Sequence, residues 1–450
     1  MLNKSLKEAV DMVWHPYVQM RNYKRKPILI TEGEGIYIKD DTGKEYIDGI
    51  SSLWNVCLGH TNKEVIGEIT KQMNRLQHFS LYGYSNQPSI ELALMISEIT
   101  EHRYKRFFYT NSGSEAIDTA IKIVRKYFRN KKESKRTKIV SLIGSFHGVT
   151  YGGMSAGGIA SRSECYQPVL EGFIKIPPPH CYRCPYKSKY PECNLICANK
   201  LEEIIITEGA DTIAAFLAEP IMGVGGIVVP PDEYFQAIKL ICEKYGIKLI
   251  IDEVATGFGR LGTALGIEHW NVEPDIFCGA KGISSGYSPL GVVGVSDDIY
   301  EAFLSDSNDG KDSLNHGFTT TGHPVSCTAG VATLKFIKKE NLFKQVKQKG
   351  DFFKKELEKL KEVSIVRDIR GKGLMWGIEL VDGFELADLT SEITKRKGLI
   401  TLSTGDTSVV ALFPPFITTE EELIRIREIL QESLELAEEK VRIMEGIGAE

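Results

Sequence analysis

Two residues carry the first chemical signal. Asp252 closes the apolar run KLIID, and Lys281 follows the next such run, DIFCGAKG. Ligands of an open parallel sheet bind outside the carboxyl ends of its strands. A carboxylate at that edge can hold a protonated ring nitrogen and keep the ring an electron sink. A partly desolvated lysine loses its charge readily and becomes a Schiff-base nucleophile. Each residue alone has an ordinary reading: a strand-end Asp often caps a helix, and most lysines are solvated. Their placement in consecutive strand-loop units makes the pair informative.

Three further segments add to it. Thr110-Asn111-Ser112-Gly113-Ser114-Glu115-Ala116 joins a strand to a helix, and a helix N-terminus with a glycine beside it is a ready anion site. Phe146-His147-Gly148 follows a strand, where an aromatic ring can stack on a flat ligand. Gly317-Phe318-Thr319-Thr320-Thr321-Gly322-His323-Pro324 offers a hydroxyl among glycines; read alone it is a turn before a helix.

The elements that must position these residues are legible in outline. Apolar runs alternate with amphipathic helical stretches from about residue 60 to residue 330, as in a parallel sheet with crossover helices. The expected strands are Arg106–Tyr109, Lys138–Leu142, Ile213–Ala218, Lys248–Ile251, Ile276–Cys278 and Val292–Val295. Ile117, Ala120, Ile121, Val124 and Phe128 predict a helix over Ser114–Phe128. GIYIKDDTGKEYIDG predicts a hairpin turning at Asp41–Gly43. Thr419 and Glu422 form a capping box ahead of a final helix. The implied plan is α/β: residues 1–60 and 331–450 build a smaller α+β domain from both chain ends, and 61–330 build a large domain on a mostly parallel sheet.

Composition excludes several alternatives. The 450 residues are 42% hydrophobic, 26% charged and 9% aromatic, with a net charge of −5. That balance argues against nucleic acid and anionic membranes as partners. No signal peptide and no membrane-spanning run is read, so a cytoplasmic location is the default expectation. Nine cysteines suit a reducing compartment. Four of them, Cys181, Cys184, Cys193 and Cys197, are spaced C-x2-C-x8-C-x3-C, which could wrap a structural zinc. The plainer reading, a Cys-rich surface insertion with no metal, is the one adopted.

Taken together, NSGSEA, FHG, AEP, DEVATGFGR, AK and HGFTTTGHP resemble the class III pyridoxal 5′-phosphate (PLP) aminotransferases of fold type I. The resemblance runs from Trp14 to Phe416. It implies that Gly113 and Ser114 bind the phosphate, that Phe146 and Val254 cover the two ring faces, and that Asp252 pairs with the pyridine nitrogen. It further implies that Lys281 carries the cofactor as a Schiff base, with His147 and Glu219 supporting the pocket. Thr319, next to Phe318, is expected to reach the phosphate of a neighbouring subunit, giving a homodimer with composite sites. Trp14-His15-Pro16-Tyr17 and Ser51-Ser52-Leu53-Trp54 resemble the 7,8-diaminononanoate aminotransferases of biotin synthesis, in which the matches of Tyr17, Leu53 and Trp54 line the substrate pocket. NSGSEA and GFTTTGHP are closer to ω-amino acid–pyruvate aminotransferases, and Gly317 and Phe146 are expected beside the substrate.

Three departures bear on substrate. Phe146 replaces a tyrosine, and Thr320 stands where an aromatic residue is usual. Leu402 and Ser403 replace an Arg-Pro pair whose arginine grips the substrate carboxylate, and leucine cannot replace a bidentate guanidinium. Val224 likewise replaces a glutamate that pairs with that arginine in some relatives. Arg162 and Lys175 are the candidate substitutes. The expected reaction is ping-pong transfer of an amino group from a terminal (ω) amine donor to an oxo acid, aldehyde or ketone acceptor. The alternatives are 7,8-diaminononanoate synthesis, an aminomutase or ammonia-lyase on the same scaffold, and a non-catalytic PLP-binding protein.

Overall fold

The computed structural model describes residues 9–304, 310–381, 384–404 and 407–447. Near the N-terminus, β1 (Ile30–Glu34), β2 (Tyr37–Asp40) and β3 (Glu45–Asp48) form an antiparallel meander. Asp40 makes the expected hairpin turn: its Oδ1 accepts from the backbone of Thr42 and Lys44, and Gly43 takes φ +84°. β13 (Leu399–Ile400) pairs parallel with β3, so the two chain ends share one sheet.

Seven strands build the large sheet: β4 (Arg106–Thr110), β5 (Lys138–Leu142), β6 (Phe173–Ile176), β7 (Ile213–Ala218), β8 (Lys248–Asp252), β9 (Ile276–Gly279) and β10 (Gly291–Val295). Their order is β4-β10-β9-β8-β7-β5-β6. β10 runs antiparallel to both of its neighbours, so one strand of the seven is reversed. Helices cover both faces, which is why the strands read as unbroken apolar runs rather than alternating ones. Every residue of β7 is buried. Alternate side chains feed two separate cores: Ile250, Ile276 and Val293 pack under the helix Gly113–Asn130, while Leu249, Ile251, Phe277 and Val292 join the main core on the other face.

A third sheet holds β11 (Val366–Lys372), β12 (Met375–Leu380), β14 (Leu402–Ser403) and β15 (Val409–Leu412), in the order β11-β12-β15-β14. The helix Glu420–Ile447 follows, with its capping box formed: Thr419 N donates to Glu422 and Glu422 N donates to Thr419 Oγ1 at 3.2 Å. Buried Arg260 ties these parts together. Its guanidinium donates to the carbonyls of Leu374 (3.0 Å) and Pro414 (2.7 Å) and to Ser51 Oγ (3.1 Å). Among the described residues no helix is long and apolar enough to cross a membrane.

Candidate active site

β4, β5, β7, β8 and β9 all point the same way, so the loops leaving them converge at one edge of the sheet. There they enclose a cavity of about 360 Å³ lined by Gly113, Ser114, Phe146, His147, Glu219, Asp252, Val254, Lys281 and Trp54, among others. Sequence reading singled out all nine of these residues.

Asp252, the last residue of β8, is only 4% exposed. Its Oδ1 accepts from Val254 N at 3.0 Å and its Oδ2 lies 2.8 Å from His147 Nδ1. A carboxylate accepts, so Nδ1 carries the proton. His147 Nε2 is buried with no partner. Glu219, just past β7, braces the neighbouring loops. It accepts from Phe146 N (3.1 Å) and Gly223 N (2.8 Å). Burial raises its carboxyl above the ordinary range; His147 opposes that shift and Asp252 adds to it.

Lys281 adopts the left-handed conformation (φ +46°) two residues beyond β9, and its Nζ sits 4.7 Å from the centroid of the Trp54 ring. Burial lowers its proton affinity below the usual lysine range, while Asp252 and Glu219 pull it back up. Trp54 is held by a stacked Phe413 with ring centroids 4.3 Å apart.

The anion end is built on close approach. A Cβ on Gly113 would lie 2.7 and 2.8 Å from the two Cγ atoms of Val254. Gly148 has φ +108°, and a Cβ there would meet Ser114 Oγ at 2.5 Å. The 18-residue helix Gly113–Asn130 begins here, with Ser112 Oγ accepting from Glu115 N as its cap. Sequence reading did not foresee that Glu115 reaches back to Asn111, accepting from its backbone N (2.7 Å) and from Nδ2 (3.0 Å). The i, i+4 spacing of the pair was the available signal.

Other predicted residues lie elsewhere. Leu53 is 60% exposed and does not line the cavity. Leu402 packs half-buried against the main core and pairs with Ala411; it does not face the cavity, although Val224 does. Gly317 lines a separate hollow with Tyr82 and His316, Phe318 meets His316 edge-on at 4.9 Å, and Thr319 is exposed. Thr320 ties this segment to the cavity by donating to Asn111 Oδ1 at 2.6 Å. Tyr17 lies in a neighbouring chamber with Arg162. Lys175 is committed beneath the sheet, where its Nζ donates to Ser141 Oγ (2.9 Å) and to the carbonyls of Ser155 (2.7 Å) and Ala156 (2.5 Å). Of the four clustered cysteines, Cys181 is exposed and Cys197 buried, and all are free thiols. Among the described residues no three or more His, Cys, Asp or Glu side chains are gathered as a metal site.

The donor set suits PLP by its chemistry. A braced carboxylate and an amine of lowered proton affinity line one cavity with Phe146 and Val254, and a glycine-opened helix N-terminus borders it.

Comparison with known proteins agrees. The family model described as Aminotransferase class-III matches residues 18–434. The adenosylmethionine-8-amino-7-oxononanoate aminotransferase of Methanocaldococcus jannaschii is 35% identical, over 97% of this chain and 99% of that protein. The enzyme of the same name from Anoxybacillus flavithermus is 37% identical, over 96% and 97%. Among solved structures, a thermostable omega transaminase from Pseudomonas jessenii superposes with a TM-score of 0.92 at 33% identity, over 97% of this chain and 99% of that one. A transaminase from the marine bacterium Virgibacillus gives 0.90 at 34%, over 97% and 100%.

Proposed function

The chain belongs to the class III aminotransferases, and from that premise we propose that it holds PLP between Asp252 and Lys281 and moves amino groups from terminal amines to oxo acids, aldehydes or ketones. The observation that carries the site assignment is the Asp252–His147 pair at 2.8 Å, facing the same cavity as a lysine whose proton affinity is lowered by burial. PLP, when bound, supplies an electron sink for the bond broken at the amine-bearing carbon.

The protein's own groups do the rest. Asp252 would hold the proton on the ring nitrogen, and His147 fixes the carboxylate's orientation by donating to Oδ2. Gly113, Ser114 and the free N–H groups of the helix start would hold the phosphate dianion. Phe146 and Val254 would cover the faces of the ring, and Glu219 locks the Phe146 loop. Lys281, depressed below the usual lysine range, can accept a proton and return it. Trp54 presses on that amine and keeps water from it. Thr319 stands exposed and outside its own cavity, which supports its use by a second subunit in a homodimer with composite sites.

The names of the relatives favour 7,8-diaminononanoate synthesis as the second reading of substrate. Borohydride reduction followed by peptide mapping tests the assignment. The cofactor should be fixed to Lys281, and Lys281→Ala should lose turnover of every donor. Label on another lysine, or retained turnover, overturns it. Conversion of the bound cofactor to its amine form on mixing with a donor alone separates transfer from an aminomutase or ammonia-lyase.

A further inference from the structure

Among the described residues, no other Lys or Arg lines the cavity around Lys281. A substrate carboxylate close to the reacting carbon therefore finds no guanidinium or second ammonium to pair with there. With Leu402 turned into the core and Lys175 tied to three acceptors, neither can serve.

A second chamber, of about 680 Å³, opens beside the first and shares Phe146 and Gly148 with it. Trp14, Tyr17, Tyr151, Met154 and Tyr166 make its wall largely aromatic and apolar. Arg162 is the one Lys, Arg, Asp or Glu side chain among its lining residues. Its Cζ lies 4.3 Å from the centroid of the Tyr17 ring, and its Nε is buried without a hydrogen-bond partner. Arg162 makes no ion pair with any described residue. A guanidinium cannot shed its charge, so a buried Nε–H without a partner is a standing cost that an arriving carboxylate would relieve. The cation–π contact with Tyr17 holds the guanidinium over that ring, and a planar fork can grip a carboxylate at two points.

We propose that Arg162 reads the carboxylate of an ω-amino acid whose amine lies at Lys281 and whose methylene chain passes Phe146 into this chamber. The assignment rests on the aminotransferase reading above and deepens it. The enzyme takes carboxylates that stand several methylenes from the reacting carbon, and it reads them from the N-terminal side of the cavity rather than from β14.

The test pairs 6-aminohexanoate with hexylamine as donors for the holoenzyme, and titrates unreactive hexanoate by the fluorescence of Trp14. In Arg162→Met, the preference for 6-aminohexanoate over hexylamine in kcat/KM should fall about 10–100-fold, the loss expected of a charge-assisted contact. Hexylamine turnover and thermal stability should stay within error. Hexanoate binding should weaken by a similar factor, and Arg162→Lys should recover part of it, since a lysine keeps the charge but not the fork. An unchanged donor ratio, or hexanoate binding that is undetectable in wild type or unaffected by Arg162→Met, overturns the proposal. If no amine is turned over, the proposed function fails while the hexanoate titration still decides the role of Arg162.

Discussion

His147 offers the sharpest test of how the cavity works. Asp252 is 4% exposed and accepts two hydrogen bonds, from Val254 N at 3.0 Å and from His147 Nδ1 at 2.8 Å. His147→Leu removes one of the two and lets no water replace it, because the histidine side chain is fully buried. A hydrogen bond to a charged group contributes about 1.5–3 kcal/mol, and a buried acceptor left unmet costs as much. If that energy holds the carboxylate where the ring nitrogen needs it, the variant should lose about 10–150-fold in kcat/KM at saturating PLP. The measurement is a double-mutant cycle with Asp252→Asn, reading both single-turnover rate and PLP dissociation constant. On the Asp252→Asn background the His147→Leu change should cost less than about threefold, because the charge it serves has gone. Full additivity of the two losses, or a folded His147→Leu enzyme within twofold of wild type, would refute the positioning role.

Two further outcomes follow from the geometry. Gly113→Ala sets a methyl within 2.8 Å of both Cγ atoms of Val254, so it should cost about 1–3 kcal/mol and weaken PLP binding; Val254→Ala in the same chain should restore both, as followed by thermal unfolding and equilibrium dialysis. His180 accepts from Arg183 N through Nδ1 at 3.2 Å, and burial, aided by Arg370, pushes its pKa down from 6.5 to about 4. The unfolded chain therefore takes up this proton first, so the contribution is intact above pH 6.5 and is lost as pH falls toward 4. The full gap corresponds to about 3 kcal/mol, which partial exposure reduces to about 1–2 kcal/mol. Denaturant titrations between those pH values should show a shallower decline for His180→Asn, and equal slopes would remove His180 from the account.

Six of the seven large-sheet strands were legible because a strand covered on both faces must be apolar at every position, and Ile213–Ala218 is the clearest case. β6 was missed because Lys175 interrupts FIKI; its amine turns beneath the sheet to meet three acceptors, a contact no local pattern announces. The reversal of β10 was hidden for a related reason: Val292–Val295 is as apolar as its parallel neighbours, and direction depends on the path of the intervening chain. At the site, Asp252, Lys281 and Gly113 could be found because strand ends and a helix start mark them. The His147–Asp252 contact bridges 105 positions and the unmet Nε of Arg162 is a property of its surroundings, so neither has a signature in the local sequence.

The pairing of β4 with β10 also sets a timetable. Among the described residues β4 has no other sheet partner, and Gly291 follows Thr110 by 181 positions (291 − 110). At a synthesis rate of about 5–20 residues per second, β4 emerges roughly 10–40 s before the strand that completes its ladder. Through that interval Phe107 and Phe108 lack the neighbour against which they finally lie, and Asn111–Ser114, hung from the end of β4, has no fixed place. A nascent chain halted before Gly291 thus carries an open strand and no anion pocket. Protection during synthesis then falls to whatever shields that strand at the ribosome.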